Sequence, residues 1–482
     1  MGIDEKSLRE IIKRLEKEVS QRPKDIATRL QLALSYMKTR EPDKAKEQLS
    51  KVIDLDKRNV EAHYYLGVTM ADSGEIEEAK SAWERAVSLD KNHSPSLYFL
   101  GKIYALEGKL DAAISHTERA RDARAGNILA HSQLGELYLA KGRIKDALNE
   151  WLEALKIDPS NLQALHNVGA IYTDLQMFDE ALDMLGRAER LGSAAPLLHF
   201  NKGLSFLGKK EYGKALESLS KAKELEPDNI RTITTLGEAY ALSGNIDAAI
   251  DQWKQVLAIS PDDLFATYNL GLGHFQKQEQ AEAIKLWEKC ILINPEYIPA
   301  HQNLATAAVM AGDFDRAIYR WQQISQLQPT SPEPQMVLGD LHFRAGNLQE
   351  AKRTSENLLD ALKQVDLKES GVKKLRSDVE LLYGTVLLAL GNAREGLKHW
   401  LEAMKHNPNF ALESGSFISR AIWPELLASA RNSARTEDEK KVVGLVGSFV
   451  KEDTCPPEGI QKVPGPQEGG KGGFTWFSRG KK

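Results

Sequence analysis

Along most of this chain apolar residues fall at helical spacing in blocks of about three turns. A small residue stands at the same point of every second block: Ala33, Gly67, Gly101, Gly135, Gly169, Gly203, Gly237, Gly271, Ala305, Gly339 and, after one lengthened interval, Gly384. The regular interval is 34 residues. Twelve residues behind runs a second series: Ala45, Ala79, Ala113, Ala147, Ala181, Ala215, Ala249, Ala283, Ala317, Ala351 and Gly396. Each unit therefore reads as two amphipathic helices with their apolar stripes turned inward, and the two small residues mark where the helix backbones cross. Gly74, Gly108, Gly142, Gly244, Gly312, Gly346 and Gly391 stand between the helices, where a residue just past a helix end takes positive φ. Pro159, Pro227, Pro261, Pro295, Pro329 and Pro408 close six of the units. One such unit cannot bury its apolar face alone, so the pattern predicts a stack of units, each needing a neighbour.

Other positions of the unit are filled as regularly. Leu precedes the small residue in most units, as at Leu32, Leu100, Leu236 and Leu338, and a ring often follows it by three, as at Tyr36, Tyr104 and Tyr240. Trp83, Trp151, Trp253, Trp287, Trp321 and Trp400 stand four residues after the small residue of the second helix. Over residues 26–410 this arrangement resembles the tetratricopeptide repeat. The resemblance implies an all-α, right-handed α-solenoid superhelix of about eleven helical hairpins with helical caps, whose first helices line a concave face.

The register divides the chain. Residues 1–25 form a capping helix with Leu8, Ile11, Ile12, Leu15 and Val19 on one face; residues 26–365 hold ten contiguous units. Residues 366–376 are an insertion, and residues 377–410 the eleventh unit. The eleven extra residues amount to three turns of about 3.67 residues, which keeps the apolar stripe in phase. They predict a long hairpin over 347–366 and 372–390, turning at Ser370 and Gly371, with a plain loop as the alternative. Residues 411–451 are C-terminal capping helices, one opened by Pro424 and one by a capping box of Thr436 and Glu439. Residues 452–473, rich in Pro and Gly, read as a disordered linker before an aromatic and basic peptide at 474–482.

Composition narrows the function classes. The chain has 482 residues and a net charge of −4, which supplies no electrostatic drive toward nucleic acid. Two cysteines make no disulfide framework, and Cys290 stands at a packing position. The N-terminal sequence lacks a secretory pattern, and no stretch approaches the roughly 20 apolar residues that span a bilayer. These features predict a cytoplasmic protein whose membrane contact, if any, is peripheral. No HExxH, paired CxxC or Gly-rich phosphate loop is present, so no metal, cofactor or catalytic site is expected. His274 and His342 take the slot that Tyr fills in other units, and packing accounts for both.

In the family, the residue two before the central small residue points into the concave face. Here that position reads Gln133, Asn167, Asn201, Thr235, Asn269 and Asn303 in succession. A carboxamide donates and accepts at once, so a series of them suits an extended peptide backbone whatever its side chains. The series resembles the asparagine ladder in the repeats of O-linked N-acetylglucosamine transferases; a structural role for these amides is the alternative. One position earlier come Tyr64, Tyr98, His166, Phe200 and Tyr268, and with Tyr65 and Phe99 the second and third units form an aromatic patch. Packing between repeats would explain the same rings. The carboxylate clamp of chaperone-tail-binding relatives is not reproduced beside any ladder Asn. In the terminal peptide, Phe474, Trp476 and Phe477 precede Arg479, Lys481 and Lys482, which suits a groove on a partner protein, a membrane interface or a fold-back onto the solenoid. The expected function is a non-enzymatic scaffold or adaptor that holds extended protein segments. The alternative is a self-assembling organiser at a membrane or organelle surface, docked by its tail; the oligomeric state is open.

Overall fold

The computed structural model describes residues 5–362, 370–407 and 423–451. Among them are 25 α-helices and no strand. After α1 (Glu5–Gln21) the helices come in pairs. These are α2 (Ile26–Lys38) with α3 (Pro42–Leu55), α4 (Val60–Asp72) with α5 (Ile76–Leu89), α6 (Ser94–Leu106) with α7 (Leu110–Ala123), and α8 (Ile128–Ala140) with α9 (Ile144–Ile157). Then follow α10 (Leu162–Asp174) with α11 (Phe178–Arg190), α12 (Pro196–Gly208) with α13 (Tyr212–Leu225), α14 (Ile230–Leu242) with α15 (Ile246–Ile259), and α16 (Leu264–Gln276) with α17 (Gln280–Ile293). The last pairs are α18 (Ile298–Met310) with α19 (Phe314–Leu327), α20 (Glu333–Arg344) with α21 (Leu348–Leu362), and α22 (Ser370–Ala389) with α23 (Ala393–His406), before α24 (Trp423–Ser433) and α25 (Glu437–Lys451). The chain divides into two compact units, Met1–Ala222 and Lys223–Lys482.

Within a unit each helix packs on the next, and successive first helices also touch: α2 on α4, α6 on α8 and α10 on α12 in the first unit, α14 on α16 and α20 on α22 in the second. No comparable contact joins successive second helices among the described residues. The first helices are therefore the inner layer of each unit.

The glycine of the first helix has a more specific reason than a backbone crossing. A β-carbon added at Gly67, Gly237 or Gly271 would come within 2.5 Å of the indole nitrogen of Trp83, Trp253 or Trp287, sixteen residues on. Trp151 covers Gly135 in the same way, and Leu185 and Leu219 cover Gly169 and Gly203. What needs the glycine is a large side chain from the second helix, seated on the first helix's backbone. At Gly169 and Gly203 the nearest backbone atom of the second helix is 3.5–3.6 Å from that β-carbon, at ordinary contact distance. In the eleventh hairpin, where the second helix also carries glycine, ring and backbone crowd the position together: a β-carbon at Gly384 would meet Trp400 Cδ1 at 2.6 Å and Gly396 O at 2.7 Å. The indole N–H of Trp151, Trp253 and Trp287 has no hydrogen-bond partner, so shape and burial place these rings. In the ninth hairpin the small residue is the buried Ala305, and Trp321 is only half-buried.

All eleven hairpin turns carry one residue of positive φ, always seven positions after the small residue. Seven are the expected glycines. The other four are Arg40, Gln176, Lys210 and Gln278, with φ between 58° and 65°.

The insertion differs from the expected turn. Ser370 and Gly371 are the first residues of α22, which at 20 residues is longer than the first helices of 12 or 13 residues before it, whereas α21 has 15. The added helix therefore lies mainly ahead of α22, and the remainder of the insertion is outside the described residues. Leu358, Leu359 and Leu362 of α21 pack with Val379, Tyr383 and Leu387 of α22, so this stretch is part of the core. At the N-terminal end Ile12, Leu15 and Val19 of α1 pack on Leu32, Tyr36 and Ala45. Following the eleventh hairpin, Leu426, Leu427, Ala430, Val442, Val443 and Val446 from α24 and α25 close over Leu397 and Trp400. Thr436 Oγ1 accepts from Glu439 N at 3.2 Å while Glu439 Oε2 accepts from Thr436 N at 2.9 Å, which completes the capping box of α25.

Candidate functional site

In the first unit α4 and α6 bring the expected aromatic residues together. The Tyr64 ring centroid lies 4.9 Å from that of Tyr65 and 6.2 Å from that of Phe99, and Tyr98 meets Phe99 edge-on at 5.3 Å. All four are half-buried. Phe99 also stacks on Trp83 at 4.8 Å, and the Tyr64 carbonyl accepts the Trp83 N–H at 3.2 Å. The patch is thus the outer surface of the core around Ala79, Trp83, Leu100 and Ile103, with part of each ring left open. Burial and the nearby Glu61 carboxylate raise the phenol pKa values of Tyr64 and Tyr65.

The amides of this unit are seated unequally. Gln133 is buried, with its amide nitrogen over Gly101 and its Oε1 without a hydrogen-bond partner. Asn167 is half-exposed. Phe200 and Asn201 are 4% and 7% exposed, so the sixth hairpin offers a ligand little of either. His166 Nε2 lies 2.9 Å from Ser193 Oγ, and burial lowers the imidazole pKa. No ladder amide bonds directly to the next among the described residues.

In the second unit the amides join adjacent first helices. Asn269 Nδ2 on α16 donates to Glu238 Oε1 on α14 at 3.2 Å, and Asn303 Nδ2 on α18 donates to the Tyr268 hydroxyl on α16 at 3.2 Å. Tyr268 packs edge-on to Tyr297 at 5.4 Å, as Phe265 does at 6.2 Å. Glu238 is the residue that sequence reasoning missed. Burial drives its carboxyl pKa well above the usual range, against a smaller opposite effect of the Asn269 hydrogen bond, and its Oε2 is enclosed and unpartnered. Its position, directly after the small residue, holds Leu204 and Leu272 in the hairpins before and after but acids again at Glu136 and Asp340, so residue type alone did not single it out.

These features place the chain in a family. Profiles described as TPR repeat or tetratricopeptide repeat match residues 26–59, 60–93, 135–176, 171–230, 234–293 and 308–376. The chain is a tetratricopeptide repeat protein. Repeats of this family are protein-interaction modules, and that coarse function holds for this member. No curated protein matches the chain. Among solved structures, YrrB, described as a TPR protein with an unusual peptide-binding site, is 25% identical over 38% of this chain and 95% of its own, with a TM-score of 0.35. MamA is 24% identical over 34% of this chain and 95% of its own, at 0.32. A tetratricopeptide repeat protein from Parabacteroides merdae ATCC 43184 is 18% identical over 49% and 93%, at 0.38.

Neither a cluster of metal-ligating side chains nor a helix long and apolar enough to cross a membrane occurs among the described residues. Cys290 is buried, and its thiol pKa is pushed up to about 12 by desolvation. Phe474, Trp476, Phe477, Arg479, Lys481 and Lys482 lie outside the described residues.

Proposed function

We propose that this tetratricopeptide repeat protein is a non-enzymatic scaffold whose inner helix layer binds extended segments of partner proteins. The observation that carries the reading is the placement of Asn269 and Asn303. Each spends one N–H on the neighbouring first helix, which fixes the side chain's direction. A carboxamide carries a second N–H and a carbonyl besides, enough to hold one peptide group of a ligand at each step. Half-exposed Asn167 and the open parts of Tyr64, Tyr65, Tyr98 and Phe99 extend the same chemistry to the first unit. Rings already held by neighbours lose little freedom on binding, which favours them as anchors.

The test is a pull-down from native lysate with the intact chain and with Asn167→Ala/Asn269→Ala/Asn303→Ala, both checked for the same thermal midpoint. Buried Asn201 is left unchanged to spare the fold. Proteins lost only with the triple variant support the reading; an unchanged set of captured proteins overturns it.

A further inference from the structure

Glu238 and the terminal peptide are the two features that the proposed scaffold function leaves unused. Glu238 Oε2 is enclosed and unpartnered, Asn269 reaches only Oε1, and among the described residues no cation pairs with the carboxyl. Orphaned polar atoms of this kind are uncommon in native proteins and call for an explanation. On α16, the helix that supplies Asn269, Phe265, Tyr268, Leu272 and Phe275 follow one another at intervals of three, four and three, on one helix face, and all are half-exposed. An inner face with an apolar, aromatic stripe beside one uncompensated carboxyl is complementary to a segment that is itself aromatic and basic.

The chain contains such a segment. Phe474, Trp476 and Phe477 are followed by Arg479, Lys481 and Lys482, and 22 residues separate the segment from the end of α25 at Lys451. That stretch spans at most about 75 Å. Through packed neighbours α16 is joined to α25 by seven helix spacings of 8–10 Å, or about 70 Å at most. The segment therefore reaches.

We propose that residues 474–482 dock on the α16 face, with their rings against Phe265, Tyr268, Leu272 and Phe275 and one of their cations on Glu238. The chain's own tail then occupies the peptide-binding face of the second unit and must leave before a partner segment enters. This rests on the reading of the inner layer as a peptide-binding face. Aromatic contacts supply most of the attraction, and the ion pair fixes the direction in which the segment lies.

A fluorescein-labelled peptide of residues 470–482 is titrated, by anisotropy, onto the intact chain and onto the chain ending at Gly473. Circular dichroism and the thermal midpoint confirm that each protein is folded. The peptide is expected to bind the shortened chain and to bind the intact chain about tenfold more weakly, because the resident tail competes. Glu238→Gln in the shortened chain, or Trp476→Ala/Phe477→Ala in the peptide, is expected to weaken binding about tenfold as well. Equal affinity for the intact and shortened chains, indifference to Glu238→Gln, or no binding overturns the proposal. Retention of the peptide on phosphatidylcholine–phosphatidylserine vesicles without binding to the protein overturns it in favour of membrane docking. If the peptide fails while the triple Asn variant still loses partners in the pull-down, tail docking alone falls; if both fail, the peptide-binding face falls with it.

Discussion

Trp253 covers Gly237 so closely that a β-carbon there would stand 2.5 Å from the indole Nε1 and 2.9 Å from Cδ1. Gly237→Ala is therefore expected to lower stability by about 1–3 kcal/mol, although alanine is the better helix former. Gly213, in the first turn of α13, has nothing within 4 Å of the same added atom. Gly213→Ala is expected to be neutral or to stabilise by up to about 1 kcal/mol. Urea unfolding of both variants checks the pair. Equal effects would mean that helix propensity, not the ring, sets the cost.

Glu238 makes stability depend on pH. Its folded-state pKa is raised, so its contribution is complete below about pH 4, the unfolded glutamate value, and is lost as pH climbs through the folded value. Glu238→Gln removes that loss. The thermal midpoint of the variant, relative to wild type, is expected to rise as pH climbs above about 5. The comparison belongs on the chain ending at Gly473, because a docked cation would stabilise the carboxylate and mask the effect. A pH-independent difference would show that the carboxyl ionises at its ordinary value.

Gln176 holds φ at 60° in the turn of the fifth hairpin, a conformation that costs a side-chain-bearing residue about 1 kcal/mol or more. Part of that gain is returned as glycine's extra freedom in the unfolded chain. Gln176→Gly is expected to stabilise by about 0.5–1 kcal/mol. Destabilisation on chemical unfolding would mean that the Gln side chain holds the turn.

The capping box of α25 gives a local prediction. Removing the Thr436 hydroxyl deprives Glu439 N of its acceptor, and Thr436→Ala is expected to cost about 1 kcal/mol. Hydrogen exchange should quicken in 437–451 and stay unchanged in α2 and α3. Uniform acceleration along the chain would contradict a local cap.

The helical hairpins were legible because one physical requirement, burial of a stripe against the next helix, repeats 34 residues later with the same residues. Legibility failed where a residue's partner lies in another hairpin, or where composition was weighed ahead of register. Gly237 was visible as a small residue, yet sequence placed a backbone beside it where the structure places the Trp253 ring; both answers demand the same glycine. Arg40, Gln176, Lys210 and Gln278 escaped notice because they are not glycine, although counting seven from the small residue finds all four. Ser370 and Gly371 look like a turn by composition, but α22 simply begins there. Of the candidate site, the aromatic cluster on α4 and α6 was readable from residue type. The pairing of Asn269 with Glu238 was not, since it depends on how closely α14 and α16 approach.

The Trp of a second helix and the first-helix glycine sixteen residues before it belong to the same hairpin. A duplicated stretch of 34 residues would therefore bring its own ring and glycine socket with it, leaving the faces between hairpins to be matched anew. Lengthening or shortening such a chain by whole repeats is a small structural change, whereas exchanging one helix between hairpins would separate a Trp from its glycine and set it against a residue such as Ala305.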